Sequence, residues 1–267
     1  MRWSERQLAM LKEMGLRLWL PAAQGAPAES DVAVAESAAE APIEAPVRVP
    51  APVAPAARVA PVASNTPAAS PSAVAHMGWS ELRDTVAACT ACKLCEGRRQ
   101  TVFGVGNESA HWMIVGEAPG ELEDIQGEPF VGKSGQLLDN MLRAMGLTRG
   151  EGEPARQVYI ANTVKCRPPG NRNPEPAELA QCEAFLVRQV ELVEPKIIVA
   201  MGRFAVQSLL RSSEPIGRLR GQVHQYHGVP LIVTYHPAYL LRNLEDKAKA
   251  WDDLCLALEV SRADPGP

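Results

Sequence analysis

The chain contains six cysteines, and four of them fall in two distant places that could act together. Cys89 and Cys92 form a C-x2-C, and Cys95 repeats the spacing. Cys166 lies in K-C-R-P-P-G-N-R-N-P and Cys182 in A-Q-C-E. Four thiolates drawn from two places can hold one zinc ion or one iron–sulfur cluster, and ligand type alone favours neither. By spacing, Cys95 competes for a place in such a set. Cys255, in the apolar helical stretch W-D-D-L-C-L-A-L, reads as a small core residue. Between the two places runs G-E-A-P-G-E-L-E-D, residues 116–124. Its Gly and Pro make a sharp turn with little side-chain bulk, which lets backbone approach a ligand closely. The acids Glu121, Glu123 and Asp124 also suit a solvated, helix-capping turn, and for Glu121 that plain reading is kept.

The elements that must position these residues alternate between strand and helix. His111–Gly116, Val158–Val164, Lys196–Gly202 and Pro230–Tyr235 are short apolar runs, the pattern of buried strands. Helical patterns cover Ser134–Ala144, Glu175–Val193, Arg203–Arg211 and about Asp246–Val260. This predicts an α/β fold of three layers, with helices on both faces of a mainly parallel, about four-stranded central sheet. Ligands of such sheets bind at the carboxyl ends of the strands. G-E-A-P-G follows the first run, T-V-K-C the second and H-P-A-Y-L-L-R-N the fourth, so the chemically informative residues gather along one edge. His224 and His227 sit in a hairpin-like stretch and receive no role.

Residues 21–77 are dominated by Ala, Pro and Val and lack core-forming aromatics. They read as a disordered linker with polyproline II character. Ahead of it, residues 1–20 predict a short amphipathic helix that Ser4 can cap and Gly15 can end, with Leu8 and Leu11 on one face. A tethered amphipathic helix suits a groove on another protein. The segment resembles the N-terminal peptide of the psi subunit of bacterial DNA polymerase III, which binds the chi subunit. That resemblance implies a replication or repair protein as partner; the other reading is that the helix packs back on the main domain or frays. The main domain is expected at 78–262, with a tail at 263–267. The net charge of −4 and the lack of a basic block mean that any polyanion must be met by a local patch. No apolar run is long enough to cross a bilayer, and Lys12 and Glu13 interrupt the only apolar stretch that could start a signal peptide. A cytoplasmic monomer without membrane contact is expected, where clustered cysteines read as metal ligands before disulfides.

Gly127 to Ser134, G-E-P-F-V-G-K-S, formally satisfies the phosphate-loop pattern G-x4-G-K-[ST]. It follows E-L-E-D-I-Q, which is not strand-like, and neither I-I-V-A-M-G nor L-I-V-T-Y-H ends in the aspartate that Mg²⁺ needs. Nucleotide hydrolysis is therefore set aside.

Residues 79–260 resemble the family 4 uracil-DNA glycosylases, the bacterial and archaeal iron–sulfur class. The resemblance rests on C-T-A-C, V-F-G-V-G-N, G-E-A-P-G-E-L-E-D, G-E-P-F-V-G-K-S-G-Q-L-L, N-T-V-K-C-R-P-P-G-N-R-N-P and H-P-A-Y-L-L-R-N, in the family's order. It implies the uracil-DNA glycosylase fold and a [4Fe–4S] cluster on Cys89, Cys92, Cys166 and Cys182, with Cys95 left out. It implies that Glu117 and Ala118 belong to the uracil pocket. Ala118 stands where the fastest glycosylase class has an aspartate, so water positioning falls to Glu117, to backbone carbonyls or to another acid. Glu123 resembles an acid near uracil C5, and Phe130 the platform under the flipped base. Asn162 would accept from uracil N3–H and donate to O4, a pair that rejects cytosine. His236 would donate to O2 as negative charge builds on the leaving uracil. Leu240 matches a wedge that fills the gap left by the flipped base. Lys165, Arg167, Arg172 and Arg242 would meet phosphates.

The implied activity is hydrolysis of the N-glycosidic bond of deoxyuridine in DNA, leaving an abasic site. No residue reads as a Schiff-base lysine, so strand cleavage is not expected. The alternative is a catalytically weak iron–sulfur DNA-binding or polymerase-associated module of the same fold.

Overall fold

The computed structural model describes residues 71–263. The expected docking peptide, the linker as far as residue 70 and residues 264–267 lie outside the described residues. In chain order the strands are β1 (Val105–Gly106), β2 (Trp112–Gly116), β3 (Val158–Asn162), β4 (Ile197–Met201), β5 (Val223–Tyr226) and β6 (Val229–Thr234). The longer helices are α1 (Trp79–Ala88), α2 (Glu121–Gln126), α3 (Lys133–Met145), α4 (Pro176–Val193), α5 (Arg203–Leu210) and α6 (Asp246–Ala263). The strands form one six-stranded sheet in the order β1-β3-β2-β4-β6-β5.

The four parallel strands β3, β2, β4 and β6 are the four apolar runs of the sequence. Two antiparallel edges, β1 on β3 and β5 on β6, raise the expected four strands to six. Both edges lack an apolar run. β1 is two residues long, and β5 reads V-H-Q-Y with only Tyr226 buried. β5 and β6 make the expected hairpin, with His227 and Gly228 both at positive φ in its turn.

Side-chain alternation along each parallel strand builds two cores. Trp112, Ile114, Ile160, Val199 and Ile232 face Leu138 and Met141 of α3 and Trp251 and Leu254 of α6. Met113, Val115, Ala161, Ile198 and Val233 face Leu186 and Val190 of α4 and Val206 and Leu209 of α5. The expected three layers are thus present. Pro176 opens α4 at a position where its missing N–H costs nothing, and Glu178 Oε2 accepts the Glu175 N–H at 2.8 Å. Gly146 closes α3 in the left-handed conformation, its N–H directed to the Leu142 and Arg143 carbonyls. Gly127 closes α2 in the same way, so the G-x4-G-K-S stretch follows a helix rather than a strand. Among the described residues no helix is long and apolar enough to cross a membrane.

A third apolar cluster joins α1 to α4 and corrects one expected boundary. Val74 and Met77, assigned by composition to the linker, are buried with Leu82, Val86 and Phe185. Arg188 Nε also donates to the Met77 carbonyl at 2.8 Å. The ordered domain thus includes residues 71–77. A chain beginning at Gly78 is expected to be less stable than one beginning at Pro71 by roughly 3 kcal/mol, the worth of burying two apolar side chains. Denaturant unfolding of the two chains checks this; equal midpoints would contradict it.

Candidate active site and thiol cavity

All four parallel strands deliver their carboxyl ends to one cleft of about 1010 Å³. Its position follows from register, because β2 and β3 run parallel with Gly116 opposite Asn162. The ladder continues past the strand ends, with Thr163 N donating to Gly116 O at 3.0 Å and Thr163 Oγ1 to Glu117 O at 2.6 Å. Glu117 and Asn162 are thereby fixed side by side. Gly116 has no side chain to spare: a Cβ there would meet Asn162 Oδ1 and lie 2.7 Å from the Phe130 ring.

Asn162, Phe130 and His236 meet at the floor of this cleft. Asn162 is 2% exposed, and its Oδ1 is buried without a hydrogen-bond partner in the structure. Buried polar atoms are nearly always paired, so an orphan acceptor in a cleft calls for a donor from outside the protein. The Phe130 ring is buried and stacks on the His236 ring, with centroids 5.3 Å apart and planes at 26°. Phe130 sits at φ 56°, a conformation that a non-glycine residue adopts only under constraint. His236 precedes the single helical turn Pro237–Leu240, and its Nδ1 accepts from Ala238 N at 3.1 Å. A neutral ring held this way carries its proton on Nε2. Burial, helped by the nearby Arg242 charge, lowers the His236 pKa to about 4, so the ring is neutral at pH 7.

Glu117 lies beside these groups. Its Oε1 accepts from Phe204 N at 2.9 Å, at the start of α5. Burial raises its pKa, against the backbone donors of Phe204 and Arg203 and the Arg203 charge. Gly202, at φ 95°, permits this approach, since a Cβ there would lie 2.5 Å from Glu117 Oε1 and 3.0 Å from His236 Cβ. Glu123 also lines the cleft and is buried, and its Oε1 accepts from Val131 N at 3.2 Å. Ala118 also lines the cleft.

The rim departs from expectation at several positions. Lys165 does not reach it. The side chain is 1% exposed, and Nζ donates inward to Asn162 O at 2.8 Å and Gln189 Oε1 at 2.6 Å. No phosphate can meet an ammonium placed there. Leu240, expected as the wedge, is at 0% exposure part of the core, whereas its neighbour Leu241 is 40% exposed. Arg172 lines the cleft but commits both Nη atoms to Glu178, at 2.9 and 2.6 Å. Arg167 does not itself line the cleft; its Nε donates to the lining residue Asn171 at 2.8 Å, and it pairs with Glu121 at 3.7 Å. Arg242 lines the cleft and makes no ion pair among the described residues. Arg203, which sequence reasoning missed, lines it too, with its guanidinium over the Phe204 ring. Its place directly after a strand-ending glycine was the available signal.

On the far side of Lys165, Cys89, Cys92, Cys95, Cys166 and Cys182 line one small cavity. All five are free thiols. Burial pushes the Cys182 thiol up to about 12 and raises Cys92 and Cys166 as well. Such thiols ionise only beside a compensating cation. Donors are in place for the ionised forms: Arg98 Nη1 lies 3.0 Å from Cys166 Sγ, and the Lys165 and Leu94 backbone N–H groups serve Cys182 and Cys92. Among the described residues, no three His, Cys, Asp or Glu side chains close up into a ligand shell, so the thiols converge on the cavity without enclosing it. Cys255 is elsewhere, half-buried against the α3–α6 core, as expected.

The sheet and the cleft at its carboxyl edge define an α/β protein with its candidate site at the strand ends. The sequence profile of the uracil DNA glycosylase superfamily matches residues 103–255, and the chain belongs to that family. It is 43% identical over 164 residues to a type-4 uracil-DNA glycosylase of Archaeoglobus fulgidus, covering 58% of this chain and 79% of the relative. Against the type-4 uracil-DNA glycosylase of Saccharolobus solfataricus the identity is 42% over 171 residues, covering 61% and 76%. Against that of Thermotoga maritima it is 42% over 168 residues, covering 62% and 84%.

The pKa of His236 generates a prediction. The unfolded imidazole takes a proton near 6.5, but the folded one only near 4. Its contribution to stability is therefore full above about pH 6.5 and is lost as pH falls toward 4. An NMR titration of the His236 ring should give a midpoint near the folded value of about 4, well below the ordinary imidazole value. A midpoint at the ordinary value would contradict a buried neutral donor.

Proposed function

We propose that this chain hydrolyses the N-glycosidic bond of deoxyuridine in DNA, releasing uracil and leaving an abasic site in the course of DNA repair. The single observation that carries the reading is the unpartnered Asn162 Oδ1 on the floor of the cleft, beside Phe130 and His236. Uracil supplies what that atom lacks. Its N3–H donates to Oδ1, while Asn162 Nδ2 donates to uracil O4. Cytosine presents the opposite polarity at both positions and would leave the buried amide unpaired. The flipped base rests on Phe130, and the carboxylate wall at Glu123 crowds the C5 edge, where thymine carries its methyl group.

As the glycosidic bond lengthens, negative charge spreads over uracil O2 and O4 while the sugar becomes oxocarbenium-like. His236 Nε2–H donates to O2 and stabilises that charge more in the transition state than in the ground state. A neutral ring does this without giving up its proton. The Glu117 carboxylate, of which Oε1 holds the start of α5, is the acid nearest the reacting sugar on this reading and orients the attacking water with Oε2. Arg242 and Arg203 take the flanking phosphates, and Leu241 enters the stack in place of the departed base. Docking of a replication or repair protein through residues 1–20 remains part of the proposal, on the spacing of that peptide.

The same reading assigns a [4Fe–4S] cluster to Cys89, Cys92, Cys166 and Cys182. Its support is the convergence of these thiols on one cavity, with the Arg98 guanidinium and buried Lys165 ammonium as compensating charge. When bound, the cluster would supply no chemistry to the reaction; it would tie the C-x2-C loop to the loop after β3. Protein purified without oxygen is expected to be brown, with about four iron per chain. Cys166→Ala should lose the colour and Cys95→Ser should keep it. Colourless protein with one zinc would overturn the assignment.

Uracil release from a single-uracil oligonucleotide tests the activity. His236→Ala should lower the single-turnover rate by roughly 10²–10³, the usual effect of deleting one such donor, with DNA affinity near normal. Asn162→Asp should lose uracil release and gain a trace on cytosine, because it turns the donor to O4 into an acceptor. Both variants within a few-fold of wild type would place the active site elsewhere. No release by the wild-type protein would leave only a DNA-binding module.

A further inference from the structure

Phe130 must be held where its backbone would not stay unaided. The stretch G-E-P-F-V-G bends so that Phe130 adopts φ 56°. α3 packs directly against it, and a Cβ on Gly135 would collide with the Phe130 carbonyl. The ring lines the cleft and also stacks on His236. Whatever fixes the two peptide groups of Phe130 therefore fixes both the platform and its contact with the imidazole.

Those two peptide groups share one partner. Arg149 Nη1 donates to Pro129 O at 3.1 Å and to Phe130 O at 3.3 Å. On its other edge, Arg149 Nε donates to Asp139 Oδ1 of α3 at 2.7 Å, and Nη2 lies in ion-pair range of the same oxygen without making a hydrogen bond. The planar fork thus spans from a helix to consecutive carbonyls of the strained residue, a geometry that lysine's single nitrogen reproduces only in part. Arg149 itself is not among the residues that line the cleft.

We infer that Arg149, aimed by Asp139, is a positioning residue that presets the Phe130 platform for the uracil base. The inference rests on the uracil reading of the cleft. A small displacement of a positioned group can lower a rate by up to about 10². Arg149→Met keeps the aliphatic stem and removes every donor. It should raise the inhibition constant of free uracil about tenfold and lower single-turnover excision by a similar factor. Arg149→Lys should recover only part of both. Asp139→Asn, at a half-buried helical position, should fall between wild type and Arg149→Met.

Uracil release from a single-uracil oligonucleotide, inhibition by free uracil, and thermal midpoints are measured together for the full-length chain and the three variants. A merely structural role would lower the midpoints while leaving uracil inhibition and the rate of the folded fraction within twofold of wild type, and that result overturns the inference. Should Arg149→Met not fold, Asp139→Asn decides: unchanged uracil inhibition overturns the inference, and a weakened one supports it. A wild-type protein that releases no uracil defeats the reading of the cleft instead, before any variant is compared.

Discussion

One close approach governs the rest of the structure: at Gly116 three elements share the space that a methyl group would fill. The Asn162 carboxamide and the Phe130 ring both occupy it, so β2 can end there only in glycine. Parallel pairing sets Gly116 opposite Asn162 with no freedom of register, because a slip by one residue would exchange the two cores. From that point β2 turns to present Glu117, and β3 continues into the loop that bears Cys166. The depth of the cleft, the burial of Asn162 Oδ1 and the tilt of Phe130 toward His236 all follow from it. A buried polar side chain without a partner is costly, and the fold tolerates one here because the strand ends leave it facing the cleft.

Lys165 ties the two chemically distinctive regions together. Its ammonium bonds the backbone carbonyl of Asn162 on one side and Gln189 of α4 on the other. Gln189 in turn donates to the Phe103 carbonyl and to Tyr159 Oη, so the interior of this face is bonded rather than merely packed. Burial lowers the Lys165 pKa to about 8, while the neighbouring Cys182 and Cys166 oppose that shift. A cation enclosed beside thiols is the charge balance that a thiolate centre requires, and its other bond steadies the end of the strand that carries Asn162.

Much of this was legible in the sequence because it rests on local pattern. Four apolar runs became the four parallel strands, and the motifs after them became the cleft. Glu117, Ala118, Glu123, Phe130, Asn162 and His236 line it together. What was not legible depends on distant partners or on rotation about a single turn. Lys165 looks like a surface cation beside Arg167 until Gln189, 24 residues away, is seen to receive it. Leu240 and Leu241 are indistinguishable by type, and only the Pro237–Leu240 turn decides which of them faces the core. Val74 and Met77 carry the composition of the linker, yet α1 and α4 offer them an apolar surface. Edge strand β1 escaped notice because it has no buried face long enough to leave a periodic pattern, and β5 showed only as part of a hairpin-like stretch.

The central claim is that the cleft is completed by a donor presented to Asn162 Oδ1, and that uracil N3–H is that donor. Calorimetric titration of the protein with uracil and with 3-methyluracil addresses it without DNA, catalysis or the cluster. Each ring offers the same O2, O4 and stacking face, and only the N3–H differs. The account predicts that uracil binds at least about tenfold more tightly, since the methyl group leaves a buried acceptor unpaired. Equal affinity for the two would show that Asn162 does not read the base.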